Sequence, residues 1–138
     1  MNGIFVDTSA WMAIVDSSDV NHGPALAFQR ELANTSQLIV TNYILDELYT
    51  LVLIDLGYHK AVDIKEKLDR MGEAGILQVV WVDQTLDTAG WSVFERFNRD
   101  KQWSFTACVS YAVMKRLRLT EVFSFDHHFE QMSFIRRP

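Results

Sequence analysis

The chain has 138 residues, 49% of them hydrophobic and 22% charged, with a net charge of −5. That length suits one compact domain over residues 1–138 with a real core, and the acidic balance argues against a general nucleic-acid binder with a basic face. No apolar run approaches the roughly 20 residues of a membrane helix, no signal peptide is read, and a lone cysteine, Cys108, excludes an intrachain disulfide and points to the cytoplasm.

Strand and helix patterns alternate along the whole chain. Ile4–Val6 predicts a short buried strand, and Ser9–Val15 a short helix capped by Thr8 or Ser9. After the loop Asp16–Asp19, Pro24 suits a first helical position, with Ala25, Phe28 and Leu32 at helical spacing. Leu38–Val40 is the second strand. A helix from about Asn42, capped by Thr41 and stopped by Gly57, follows it. The next helix runs from about His59 until Gly72 and Gly75, and Leu77–Val82 is the third strand. Leu86, Ala89, Val93 and Phe97 share one helical face. The segment from Ser104 to about Leu117 is apolar on most sides and predicts a buried helix. Val122–Phe125 is the fourth strand, and Phe134-Ile135 suggests a short fifth. Continuous apolar strands alternating with helices imply a three-layer α/β/α sandwich around a parallel sheet of four to five strands.

Acids stand where the strands stop. Asp7 follows the first strand and Asp126 the fourth, while Glu47 sits among Ile44, Leu45, Leu48 and Leu51. Ligands of open α/β sheets bind outside the carboxyl ends of the strands, so these three suggest a divalent-cation site. Carboxylates brought together repel, and a cation removes that problem while activating water and polarising phosphoryl oxygens. The plainer reading is helix capping by Asp7 and by Asp126. Asp46 is expected to be more exposed than Glu47. His127 and His128 point apart on a helix and suit surface or capping roles, and His22 suits a structural one. Trp11, Trp81, Trp91 and Trp103 could stack on bases, but a core or core-edge place is expected for most. The basic clusters Arg96–Lys101, Lys115–Arg118 and Arg136-Arg137 each read as solvated ends.

Together these residues resemble the PIN-domain nucleases. Val6-Asp7-Thr8-Ser9-Ala10 is similar to the family's opening motif, and Thr41 to Glu47 to its second. Trp103-Ser104-Phe105-Thr106-Ala107-Cys108 resembles the third, and Val122 to Phe129 the fourth. The four occur in order over the full chain. Many stand-alone members of this size are VapC-type toxins of toxin–antitoxin pairs. The resemblance implies metal-dependent RNA cleavage leaving 5′-phosphate and 3′-hydroxyl ends. Asp7, Glu47 and Asp126 would hold Mg²⁺ or Mn²⁺, and Thr8, Ser9, Ser104 or Thr106 would orient a carboxylate or water. It further implies an RNA substrate and a small antitoxin partner, and the helix over Tyr43–Leu56 and the one after it offer apolar surface for a homodimer.

The departure is Ala107, where the family carries an aspartate. With Ser104 as cap, an acid at the third helical position would also favour the helix start, whereas alanine keeps the helix without the carboxylate. A natural weakened member and an engineered replacement both fit, and the intact motif around Ala107 favours replacement. Either implies weakened metal binding and little cleavage. Three other readings compete. One is a catalytically silent module that binds a partner protein or RNA. Another is a phospho-receiver domain using Asp83 after the third strand. The last is a haloacid-dehalogenase-type phosphatase, which would need Asp where Ser9 stands.

Overall fold

The computed structural model describes residues 2–138. In chain order the elements are β1 (Asn2–Val6), α1 (Thr8–Val15), α2 (His22–Leu32), β2 (Ser36–Thr41), α3 (Asn42–Leu56) and α4 (Tyr58–Glu73). There follow β3 (Leu77–Val80), α5 (Gln84–Phe97), α6 (Phe105–Arg116), β4 (Glu121–Phe123), α7 (His128–Gln131) and β5 (Ile135–Arg137). The strands form one parallel sheet in the order β3-β2-β1-β4-β5.

The order divides the helices between two faces. The chain steps outward from β1 to β2 to β3, then returns to the other side of β1 for β4 and β5. Right-handed crossovers therefore put α1 to α4 on one face and α5 to α7 on the other. Packing agrees, with α3 against α1 and α4, and α5 against α6. The sheet is apolar because it is covered twice: Ile4, Phe5, Val6, Val40, Val122 and Phe123 are all buried. Six residues of α6, from Ala107 to Met114, are buried as well, as its all-round apolar pattern predicts.

Local chemistry sets the helix ends. Thr41 Oγ1 accepts the Ile44 N–H at 3.2 Å and opens α3. Gly57, at φ +95°, ends it. Asp83 opens α5 by accepting the Leu86 N–H at 2.9 Å. Gly90 lets α5 and α6 cross closely, because an added Cβ would lie 3.0 Å from the Val109 Cα.

Several expected boundaries move. α1 starts at Thr8, one residue early. α2 begins at His22, so Pro24 is its third residue and not its first. α4 runs through Gly72, and the turn at Gly75 (φ +75°) follows it. β3 stops at Val80 and β4 at Phe123, each two residues short of the apolar run. Hydrophobicity there belongs to loop residues that turn over the sheet edge, which strand pairing does not include. The short last strand takes Ile135–Arg137 and leaves Phe134 outside. Arg136 and Arg137 are thus not a solvated tail: Arg137 pairs with Glu121 at 2.7 Å, and Arg136 binds Glu130 and the Ser124 carbonyl.

Candidate active site

The sheet order reverses between β1 and β4, and that switch point builds the site. Phe5 pairs with Val122 and Val6 with Phe123. The Asp7 N–H then donates to the Phe123 carbonyl at 3.0 Å. The two strands therefore deliver Asp7 and the Ser124–Asp126 segment to the same edge.

Two serines clamp the acid. The hydroxyls of Ser9 and Ser124 each donate to Asp7 Oδ2 at 3.0 Å. Their oxygens in turn accept the N–H groups of Phe125 and Asp126, at 3.0 and 2.9 Å. Each hydroxyl has one proton, already given to Asp7, so the 3.1 Å approach of the two hydroxyl oxygens is a contact and not a third bond. Ser124 is fully buried and links Asp7 to Asp126 through one side chain.

Asp7 is only 8% exposed. Burial pushes its carboxyl above the ordinary range, the Ser9 and Ser124 hydroxyls and the Thr8 N–H pull it back, and nearby Asp126 raises it again. Although Asp7 occupies the cap position of α1, its side chain makes no cap bond, so the capping expectation fails there. Asp126 lies one residue before the cap of α7, which is His127 and has no side-chain cap bond, so the expectation fails there too; its Oδ1 accepts the His128 N–H at 2.9 Å as a turn bond, with the His128 ring at 3.4 Å. His127 points elsewhere and faces Glu130.

The cleft beyond this pair has a volume of about 270 Å³. It is lined by Asp7, Thr8, Ser9, Glu47, Ser104, Thr106, Ala107 and Asp126, with Met12 and Leu51. All the candidate site residues are thus together. Glu47 stands exposed on α3, and Asp46 beside it is exposed too, so the expected difference between them is absent. Ser104 caps α6 by accepting the Ala107 N–H at 3.0 Å, which makes Ala107 the third helical residue. Its methyl group lines the cleft where an acid would reach in.

The donors present are hard carboxylate and hydroxyl oxygens, the kind Mg²⁺ and Mn²⁺ take. Thr8 Oγ1 is buried here without a hydrogen-bond partner. The donor chemistry therefore fits a divalent cation. The number of ligands is low: among the described residues no three His, Cys, Asp or Glu side chains gather around one point.

Asp83, the acid a phospho-receiver would need, is spent on capping α5 and does not line the cleft. Cys108 is buried, with its thiol pushed up to about 11 by desolvation, and behaves as a small hydrophobe. His22 Nδ1 lies 2.7 Å from the Ala13 carbonyl, a structural tie. Trp11 and Trp103 are buried, but Trp81 and Trp91 are 74% and 51% exposed, so a core or core-edge place holds for two of the four rather than for most. Ser124 was legible only as a polar residue inside an apolar run, and no sequence spacing ties it to Asp7.

The PIN domain family model matches residues 4–135. The chain belongs to the PIN domain family. Over 137 residues it is 29% identical to the 23S rRNA-specific endonuclease VapC20 of Mycobacterium tuberculosis, covering 98% of each chain. It is 27% identical over 126 residues to a VapC ribonuclease of Archaeoglobus fulgidus, covering 90% of this chain and 77% of that one. The crystal structure of the M. tuberculosis VapC20, a sarcin-ricin loop cleaving toxin, superposes with a TM-score of 0.85 at 27% identity, over 98% of this chain and 99% of that one. FitAcB from Neisseria gonorrhoeae shares the fold at a TM-score of 0.67 and 16% identity, covering 98% of this chain and 96% of that one. No helix among the described residues is long and apolar enough to cross a membrane.

Proposed function

We propose that this chain is a VapC-type toxin built as a divalent-metal-dependent endoribonuclease, weakened or disabled by Ala107. The observation that carries this reading is the single cleft shared by residues 7–9, 47, 104, 106, 107 and 126 at the switch point of the sheet. Likeness to VapC20 and to the archaeal VapC ribonuclease over most of the chain supports RNA as substrate.

Asp7 and Asp126, with Glu47 from α3, would hold Mg²⁺ or Mn²⁺. When bound, the ion would supply a Lewis acid for a phosphoryl oxygen and a water of lowered pKa. The chain's own residues prepare the place. Ser9 and Ser124 fix the Asp7 carboxylate through Oδ2. Thr8 Oγ1, without a partner, is free to orient a water. Ser104 holds the start of α6, and with it position 107, against the cleft. Thr106 lies on the same wall. A small antitoxin is the expected protein partner.

The test is to measure Mg²⁺- or Mn²⁺-dependent cleavage of RNA by this chain and by its Ala107→Asp variant. The expected result is little or no cleavage by the first and clear cleavage, abolished by chelator, by the second. Equal activity in the two removes position 107 from the mechanism. The methyl group at 107 also supports a second reading, a silent module that binds RNA or protein through the old cleft. Its mark would be retained binding with no cleavage even after Ala107→Asp.

A further inference from the structure

An aromatic row leads away from the acid cleft. Tyr43, on the first turn of α3, lines an adjoining cleft together with Glu47, Leu51 and Thr106, so the two clefts share a wall. The Tyr43 ring lies 6.3 Å from Phe105, and Phe105 lies 6.4 Å from Trp91. Trp91 stacks on Phe94 at 5.0 Å with the ring planes 13° apart, and it remains 51% exposed. Phe105 itself sits between Ser104 and Thr106, both of which line the acid cleft. Tyr43 is held in place by its hydroxyl bond to Asp87 at 2.5 Å.

Basic residues follow Trp91 along the chain. Arg96 and Arg99 are exposed, and with Lys101 they stand at the end of α5 and in the loop that delivers Ser104. Asn98 fixes that loop with a bond to each side of the Trp103 peptide, Nδ2 to the carbonyl and Oδ1 from the N–H, both 2.9 Å. Aromatic faces for bases beside cations for the backbone are how single-stranded nucleic acid is held.

We propose that Tyr43, Phe105 and Trp91 form a stacking wall for unpaired RNA bases, with Arg99 on the phosphate backbone, extending the nuclease cleft. The wall rests on the nuclease reading for its substrate class but can be tested apart from it. Stacking of one base on a side chain is lost as roughly a 5- to 150-fold weaker affinity. A protein partner would use the same rings without regard to RNA bases.

The experiment is fluorescence anisotropy with a labelled single-stranded RNA of mixed sequence, and with an abasic oligonucleotide of the same length. The full chain with Ala107 is used, so that cleavage does not interfere. Trp91→Ala is expected to weaken binding of the RNA within that range while barely changing binding of the abasic strand. Trp91→Phe is expected to keep most of the affinity. Val20→Ala, an exposed apolar control (92% exposed), is expected to change nothing. Arg99→Ala is expected to weaken both strands and to flatten the salt dependence. Unchanged RNA affinity in Trp91→Ala, equal loss for the two strands, or no RNA binding by the parent chain overturns the wall. Circular-dichroism melts of each variant separate loss of fold from loss of stacking. Failure of the wall leaves Ala107→Asp cleavage intact, whereas failure of the nuclease reading shows as no cleavage with base-dependent binding retained.

Discussion

Replacing Asp7 with asparagine isolates the cost of keeping a carboxylate in the cleft without a cation. The folded carboxyl titrates above its ordinary value of 3.8, chiefly because it is buried. A raised folded pKa means that the folded state binds the proton more tightly than the unfolded chain does. Its contribution to stability is complete below about 3.8 and is lost as pH rises through the folded value, so the penalty grows as pH rises past that value. Burying a bare charge costs several kcal/mol. Two hydroxyls at 3.0 Å offset part of that here. What remains is of the order of an imperfectly satisfied buried polar group, about 1–3 kcal/mol. Asparagine keeps the shape, can accept both hydroxyls, and carries no charge. Asp7→Asn is therefore expected to be more stable at pH 7 in chelator by about 1–3 kcal/mol, or about 3–9 °C in Tm for a chain of this size. Thermal melts from pH 4 to pH 8 should show the gap opening as pH rises. Millimolar Mg²⁺ should raise the Tm of the parent and not of the variant. A variant less stable than the parent at pH 7, or a gap that does not change with pH, would refute this reasoning.

Two further expectations concern the supports. Ser124→Ala removes one of the two hydroxyls on Asp7 and the acceptor of the Asp126 N–H. It should destabilise the protein by about 1–3 kcal/mol in urea unfolding and lower cleavage in an Ala107→Asp background. In Gly90→Ala the new Cβ would meet Val109 Cγ2 at 2.5 Å and Val109 Cα at 3.0 Å. Forced separation of α5 and α6 costs about 1–3 kcal/mol, against a gain of about 1 kcal/mol in helix propensity, so a net loss in Tm is expected.

The sequence carries the fold well where one local cause sufficed. Thr41 before an apolar helix and Gly57 after it define α3 at both ends. The alternation of strand and helix gives the sandwich, and the acids at the strand ends give the edge at which a site should lie. What the sequence lacked was pairing across distance. Ser124 matters because β1 and β4 are neighbours, which only the register reveals. Gly90 matters because of Val109 on another helix. Trp91 lies off the face shared by Leu86, Ala89, Val93 and Phe97, and it stays 51% exposed while its ring stacks on Phe94. Asp7 and Asp126 each fitted a capping role on paper, and neither fills it: Asp7 makes no cap bond, and Asp126 closes a turn onto His128 one residue ahead of the cap.

The bond between Ser124 and Asp7 spans 117 residues of chain. Every other crossover in the sheet joins strands that follow each other closely in sequence, but β1 meets β4 only after two other strands have been laid down. Contacts between residues so far apart in sequence raise the contact order, which slows folding. A partly folded molecule can therefore own β1, β2 and β3, with their helices, and still hold Asp7 apart from Asp126. In this architecture the acid edge exists only where β1 and β4 are paired, so a copy that lacks that one pairing has no complete cleft.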